Sequence, residues 1–230
     1  MRASPGSCPD PMTPAAIIFD FDGVIADSEV RANQTLAESL TAIGLPTSYD
    51  DCLRDYYGHN WQETQRRIEA RFGRALPADF RERHRERARA RFAEGFGPVP
   101  GAPEFLASLG DRPRAVASSS SPAYIAMSLD RFGLAHHFGR HVYSADGWDR
   151  GKPHPDIYLA AAKGLEVDPA TCLAIEDSPT GAQAALAAGM TVVGFCGAGH
   201  IADRAAHGAV LRAVGVHNVA HRFDEIVVAA

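Results

Sequence analysis

The chain has 230 residues, 46% of them hydrophobic and 22% charged, with a formal net charge of −5 and four cysteines. This is the composition of a soluble globular protein with room for one sizeable core and a smaller appended unit, and its acidic balance argues against a general nucleic-acid binder. Cysteines at 8, 52, 172 and 196 show neither paired nor CxxC spacing, so they read as free thiols in a reducing compartment, not as a disulfide framework or a zinc site.

Residues 1–14, MRASPGSCPDPMTP, are rich in Pro, Ser and Gly and lack the apolar core of a secretory signal, which predicts a disordered leader. No run approaches the roughly 18 apolar residues of a membrane helix, so no membrane partner and a cytoplasmic location are expected. The stretch AIIFDFDGVIADS then organises the chain. Ile17, Ile18 and Phe19 predict a buried parallel strand that delivers Asp20 and Asp22 to its C-terminal edge, where open α/β sheets bind ligands. Alternation places the two carboxylates on one side, and Gly23 lets the backbone turn away.

Between 28 and 97 no convincing strand is present. Leu36, Leu40 and Ile43 predict one helix stopped at Gly44, Trp61, Ile68 and Phe72 a second, and Phe80, Ala88 and Phe92 a third carrying RERHRERARAR. The breakers Gly95, Gly97, Pro98, Pro100 and Gly101 suit a hinge. From Pro103 helix and strand alternate, as in a parallel sheet covered by helices. A strand at 115–117 runs into Ser118–Ser121 before a helix opened by Pro122, and 141–143 is a weaker strand followed by a loop to Gly151-Lys152-Pro153. Ile157, Tyr158 and Ala161 mark a helix, and a strand at 172–175 runs into Glu176, Asp177, Ser178 and Pro179. A helix then ends at Gly189, and strands are expected at 191–195 and 209–211 with a closing helix at 223–228. The predicted fold is α/β, a Rossmann-like parallel sheet core at 15–27 and 98–230 with an all-helical insert at 28–97.

The residue types at the strand ends carry a chemical message. Adjacent acids at 176 and 177 near Asp20 would repel one another unless a cation held them, and a hard divalent ion with oxygen ligands, Mg²⁺, fits. Ser178 with Pro179 is a good N-cap and first-turn pair whatever the function. Lys152, between Gly and Pro ahead of a helix, is well placed to be held rigidly.

In order, DFDGVIADS, AVASSSS, GKPHPDIY and IEDSPTGAQAALAAG resemble the four motifs of the haloacid dehalogenase superfamily of phosphotransferases, a resemblance that covers 15–200. It implies that Asp20 is a nucleophile taking the phosphoryl group, and that Asp22 protonates the leaving oxygen and then deprotonates water. It implies too that Ser118, the Ser119 amide and Lys152 bind phosphate. Mg²⁺ would be held by Asp20, the Asp22 carbonyl and Asp177, with Glu176 acting through the metal's waters. The insert at 28–97 corresponds to a helical cap that closes over the site and selects substrate.

Within the superfamily the 2-haloacid dehalogenases lack the second aspartate and the metal, and phosphonoacetaldehyde hydrolases use a cap lysine, whereas 28–97 contains no lysine. P-type ATPases carry threonine at the second position and membrane spans. A phosphatase or phosphomutase acting on a small-molecule phosphate ester remains, nearest the subgroup of β-phosphoglucomutase and sugar-phosphate phosphatases. Ala32 stands where the mutase has a histidine, and Trp61 where it has the arginine that holds a second phosphate. Phosphatase is therefore the first reading, mutase the alternative and a catalytically idle binding module the third. His59, Asn60 and Trp61, with Tyr57, are the candidate substrate contacts, although the spacing of Trp61 with Ile68 and Phe72 also fits the core of the insert. The arginines from 81 to 91 read as a solvated face paired with Glu82, Glu86 and Glu94, with contact to an anionic substrate as the competing reading. A monomer is expected, with a dimer as the alternative.

Overall fold

The computed structural model describes residues 12–57, 59–93 and 95–229. Most of the expected leader, with Cys8, lies outside the described residues, and so do Gly58 and the side chain of Phe92. Met12, within the stretch expected to be a leader, pairs with the end of the chain, its N–H donating to the Val227 carbonyl at 3.1 Å and its carbonyl accepting from Ala229 N–H at 2.8 Å. Cys52, Cys172 and Cys196 are buried free thiols, as their spacing predicts.

Among the described residues six parallel strands form one sheet: β1 (Ala16–Phe19), β2 (Arg114–Ser118), β3 (Val142–Ser144), β4 (Cys172–Glu176), β5 (Thr191–Phe195) and β6 (Asn218–Ala220), in the spatial order β3-β2-β1-β4-β5-β6. The central strands read as unbroken apolar runs because helices cover both faces, and all residues of β1 and β4 are buried. Register pairs Phe19 with Val116 on one side and with Ile175 on the other, so the chain segments that follow β1, β2 and β4 emerge together at one edge. That edge is the crevice in which such sheets place ligands.

After β1, within 28–97, the described residues form four helices: α1 (Glu29–Ala42), α2 (Tyr49–Asp55), α3 (Trp61–Phe72) and α4 (Phe80–Ala93). They bury a cluster of their own, with Leu36, Leu40, Cys52, Tyr56, Ile68 and Phe80 at its centre. The chain leaves and re-enters the sheet region side by side, with Asp27 N–H donating to the Gly97 carbonyl at 3.0 Å and Val99 N–H to the Ile25 carbonyl at 2.9 Å. The remaining helices are α5 (Ala102–Ser108), α6 (Pro122–Phe132), α7 (Asp156–Gly164), α8 (Pro179–Ala187) and α9 (Arg204–Ala213). Among the described residues no helix is long and apolar enough to cross a membrane.

The last quarter of the chain departs from expectation. Residues 209–211 lie in α9, where Asp203 caps the first turn by accepting from Ala206 N–H at 2.9 Å. Leu211 is buried while Val210 is 48% exposed, so the short apolar run is split between two helix faces. The last strand is β6, an edge strand whose Asn218 is exposed, and the closing segment makes one 3-10 turn at Phe223–Glu225 instead of a helix. Helix α2 was not expected either; a capping box in which Ser48 and Asp51 satisfy each other's backbone N–H starts it.

Candidate active site

Asp20 follows β1 directly, and its N–H donates to the Ile175 carbonyl at 2.9 Å, which clamps it beside the end of β4. Its side chain meets Lys152, whose Nζ donates to Asp20 Oδ1 and to Glu176 Oε1, both at 2.6 Å. Burial alone would depress that lysine, yet the Asp20 and Glu176 charges outweigh it and hold the ammonium well above the usual lysine range. All of Glu176 is occupied: Oε1 also accepts from Tyr158 at 3.2 Å, and Oε2 accepts from Ser178 N–H at 2.7 Å and Ser178 Oγ at 3.0 Å. The first turn of α8 lies directly on this carboxylate, since a Cβ on Gly181 would fall 1.5 Å from Oε1.

Asp177 is 1% exposed. Its Oδ2 accepts from the Tyr57 hydroxyl at 2.5 Å, and the His207 Nε2 lies 2.5 Å from its backbone carbonyl. His200 Nε2 is 3.5 Å from Oδ2, but burial, then His207, pushes that imidazole down to about 4, so it stands neutral beside the acid. On the opposite side Gly23 has φ +83°, and a Cβ there would lie 1.7 Å from Asp177 Oδ2. Only glycine satisfies both the left-handed backbone and the approach of the carboxylate.

Asp20, Glu176 and Asp177 offer oxygen atoms within 4.8 Å of one another. Lys152 supplies one positive charge against three buried carboxylates. Burial, opposed by Lys152 and reinforced by Glu176 and Asp22, pushes Asp20 up to about 7, and burial with Glu176 and Asp20 raises Asp177 well above the carboxylate range. An oxygen-only donor set that is repulsive without a further cation fits a hard divalent ion such as Mg²⁺.

The sign of the stability effect follows. With carboxyl pKa values raised on folding, the native state binds more protons than the unfolded chain, whose aspartates titrate near ~3.9, and stability falls as pH rises toward the native values. The thermal midpoint of EDTA-treated protein is expected to fall between about pH 5 and pH 8, and Mg²⁺ to restore it more at the higher pH. A flat profile that Mg²⁺ does not move would show that these acids are not stressed.

Asp22 sits in a cage of hydroxyls: Ser28 Oγ at 2.5 Å and Tyr124 at 3.0 Å donate to Oδ1, and Ser120 Oγ donates to Oδ2 at 2.6 Å. Ser118 Oγ accepts from Ser120 N–H at 3.0 Å and shapes the serine loop. Ser119 Oγ is buried with no hydrogen-bond partner among the described residues. Asp20, Asp22, Ser118, Ser119, Lys152, Glu176, Asp177 and Tyr57 all line one small cavity of about 110 Å³.

A second cavity of about 700 Å³ adjoins it, sharing Asp22, Glu29, Ser119 and Ser120 on its wall. Trp61 lines this larger space with its ring stacked on Phe80 and His84, so it is at once a cavity wall and part of the helical cluster. His59 and Asn60 line neither cavity. Asn60 caps α3, accepting from Glu63 N–H at 2.9 Å, and its amide rests on Gly151, where a Cβ would meet Nδ2 at 2.4 Å. Glu29, which the sequence reading passed over, is held by Asn33 at 2.7 Å and pushed up to about 8 by burial and then by Asp22. An acid in the first turn of a helix carries an ordinary electrostatic explanation, which hid it. Tyr124 and Ser120 had no sequence signal beyond their place after β2.

Comparison with known proteins identifies the family. The family profile of haloacid dehalogenase-like hydrolases matches residues 14–189. Fructose-1-phosphate phosphatase YqaB of Escherichia coli is 32% identical over 179 residues, 78% of this chain and 95% of that protein. Among solved structures, a conserved haloacid dehalogenase-like protein of unknown function from Agrobacterium tumefaciens superposes with a TM-score of 0.79 at 34% identity, covering 92% of this chain and 95% of that one. A haloacid dehalogenase family hydrolase from Deinococcus radiodurans with bound phosphate and sodium has a TM-score of 0.72 at 31% identity, over 94% of this chain and 93% of that one.

Proposed function

The chain belongs to the haloacid dehalogenase-like hydrolases, and from that membership we propose that it is a Mg²⁺-dependent phosphatase acting on a small phosphorylated metabolite through an aspartyl-phosphate. The observation that carries the reading is the meeting in one cavity of a buried carboxylate held by a lysine, a second carboxylate caged by hydroxyls, and an acidic pair. A substrate phosphoryl group enters beside Asp20, whose carboxylate oxygen forms the new bond to phosphorus as the ester oxygen departs. Asp22, oriented by Ser28, Ser120 and Tyr124, gives that oxygen its proton and later takes one from the water that releases inorganic phosphate. Ser118, Ser119 and Lys152 hold the phosphoryl oxygens, the unpartnered Ser119 hydroxyl being a donor in waiting.

Asp20, the Asp22 carbonyl and Asp177 would hold Mg²⁺, with Glu176 acting behind them. When bound, the ion neutralises charge on the transferring phosphoryl group, the main requirement of this reaction class. The ranking of the two adjacent acids rests on their partners. Both oxygens of Glu176 are engaged by lysine, tyrosine and serine donors, whereas among the described residues the Asp177 carboxylate meets Tyr57 and a neutral histidine. Asp177→Asn is therefore expected to weaken Mg²⁺ binding about tenfold more than Glu176→Gln in a calorimetric titration, and the reverse order would mean that the two acids are wrongly assigned.

Helices α1 to α4 act as the cap in this reading, reaching the sheet side through Tyr57 on Asp177, Asn60 on Gly151 and Arg81 and Arg85 on Asp146. Closure excludes bulk water while substrate is bound. Hydrolysis is favoured over mutase chemistry because Ala32, on the wall of the larger cavity at the position where the mutase has a histidine, has no group to move a proton. Release of inorganic phosphate from an aryl phosphate, abolished by EDTA and restored by Mg²⁺, is the direct test; an absence of metal-dependent release would contradict the phosphatase reading and leave the mutase and the binding module.

A further inference from the structure

The cavity of about 700 Å³ is larger than a phosphoryl group requires and lies within the range of small-metabolite sites, so it has room for the organic part of the ester. Helix α4 gives its wall three arginines, Arg81, Arg85 and Arg89. Arg81 and Arg85 do not follow the ordinary pattern of a charged surface helix, in which pairs form within the helix or to the residue before it. Arg83 on the same helix does, pairing with Asp79 at 2.9 Å at an exposed position. Arg81 and Arg85 instead cross to Asp146, in the loop after β3, each through a single Nη2 donor at 2.9 and 3.0 Å.

One carboxylate thus serves two guanidinium groups, each of which has five N–H donors. One full positive charge remains on the pair. Arg81 Nε is buried and has no acceptor among the described residues, while its Cζ lies 5.8 Å from the centre of the Trp61 ring. Among the described residues the other acids on the cavity wall form no ion pair with Arg81 or Arg85: Asp22 accepts from hydroxyls and Glu29 from Asn33. A sugar or polyol hydroxyl can accept from the buried N–H but brings no charge to answer the excess on the pair, whereas a planar or tetrahedral oxyanion does both and is the natural partner of paired guanidinium groups.

Resting on the phosphatase reading of the same site, we infer that the substrate is a phosphate monoester carrying a second acid group, a carboxylate or a second phosphate, which Arg81 and Arg85 receive while Asp20 attacks the first. The two sources share one chemistry, an anionic oxygen group at the far end of a short carbon chain.

The test is a binding measurement, so that it does not depend on turnover. Mg²⁺-loaded Asp20→Asn protein is titrated with 6-phosphogluconate, glucitol 1,6-bisphosphate and glucitol 6-phosphate, and in a shorter series with glycerate 3-phosphate and glycerol 3-phosphate. These ligands differ within each series chiefly in whether the far end is an acid or an alcohol. In at least one series an acid-ended ligand is expected to bind about tenfold or more tightly than its alcohol, and carboxylate against bisphosphate then separates the two sources. Adding Arg81→Gln or Arg85→Gln should shrink that advantage to within about twofold, and Arg83→Gln should leave it unchanged. Raising ionic strength from about 0.05 to 0.5 M should shrink it in the protein without any cap substitution, a readout that needs no arginine variant to fold. Equal affinities within both series, or an advantage that survives loss of both arginines, overturns the inference. Hydrolysis of an aryl phosphate by the unsubstituted protein is followed in parallel. Its absence alongside a retained acid preference would sink the phosphatase reading and keep the anion site, and the opposite pair of results would do the reverse.

Discussion

Asp20→Asn is expected to lower Mg²⁺-dependent hydrolysis of an aryl phosphate by more than about a hundredfold, since an amide cannot form the covalent intermediate and losing that route costs several kcal/mol of barrier. The same change should not weaken the fold. Asp20 is a buried carboxyl whose ionised form is disfavoured, pushed up to about 7 by burial and by its acidic neighbours against the pull of Lys152. A neutral isostere relieves repulsion with Glu176 and Asp177, so without Mg²⁺ near pH 8 the variant should melt at or above the parent's midpoint. Activity and stability moving in opposite directions would mark Asp20 as a site built for chemistry. A variant that keeps more than about a hundredth of the activity would contradict nucleophilic catalysis.

Lys152→Met is the complementary change, and both properties should fall together. Its Nζ is the shared partner of Asp20 Oδ1 and Glu176 Oε1, and its side chain is 4% exposed. Removing one member of a buried ion network leaves uncompensated charge and costs about 3–5 kcal/mol. The pH dependence has a definite sign. The lysine itself stays charged far above neutrality, with its pKa held well above the usual range, so its contribution is complete from acid to neutral pH. The change arises from its carboxylate partners: as pH falls and Asp20 takes up a proton, less charge is left without a partner, so the destabilisation should shrink between about pH 8 and pH 5. Turnover should drop as well, because the cation meets the phosphoryl group in ground and transition states alike. Kinetics and melting indistinguishable from the parent at pH 8 would show Lys152 to be dispensable.

What was legible in the sequence was local. Asp20, Ser118, Glu176 and Asp177 each stand at the end of a short apolar strand, and a parallel sheet brings successive strand ends to one edge without further information. Lys152 was marked by its Gly-Lys-Pro setting. Contacts between helices α1 to α4 and the sheet side were not legible. Tyr57 and Asp177 are 120 positions apart, and no periodicity announces a hydroxyl that crosses from one element to another. Asn60, expected among the substrate contacts, caps α3, and a short polar residue ahead of a helix does not announce which of the two roles it takes. The arginine run of α4 suggested partners in its own helix, and Arg89 does lie 4.0 Å from Glu82, yet Arg81 and Arg85 pair with Asp146 and Arg91 with Glu38, carboxylates on other segments that helical spacing does not point to. The misplaced last strand has the same origin: the apolar run at 209–211 fits strand or helix, and burial alone decided.

The central claim is that phosphoryl transfer passes through Asp20, and stereochemistry at phosphorus tests it most directly. Hydrolysis of an aryl phosphate made chiral with oxygen isotopes, run in isotopically labelled water with Mg²⁺, reports the number of in-line displacements. Attack by Asp20 followed by attack of water is two displacements and predicts net retention of configuration. Net inversion would mean that water attacks the substrate directly, and would contradict the account.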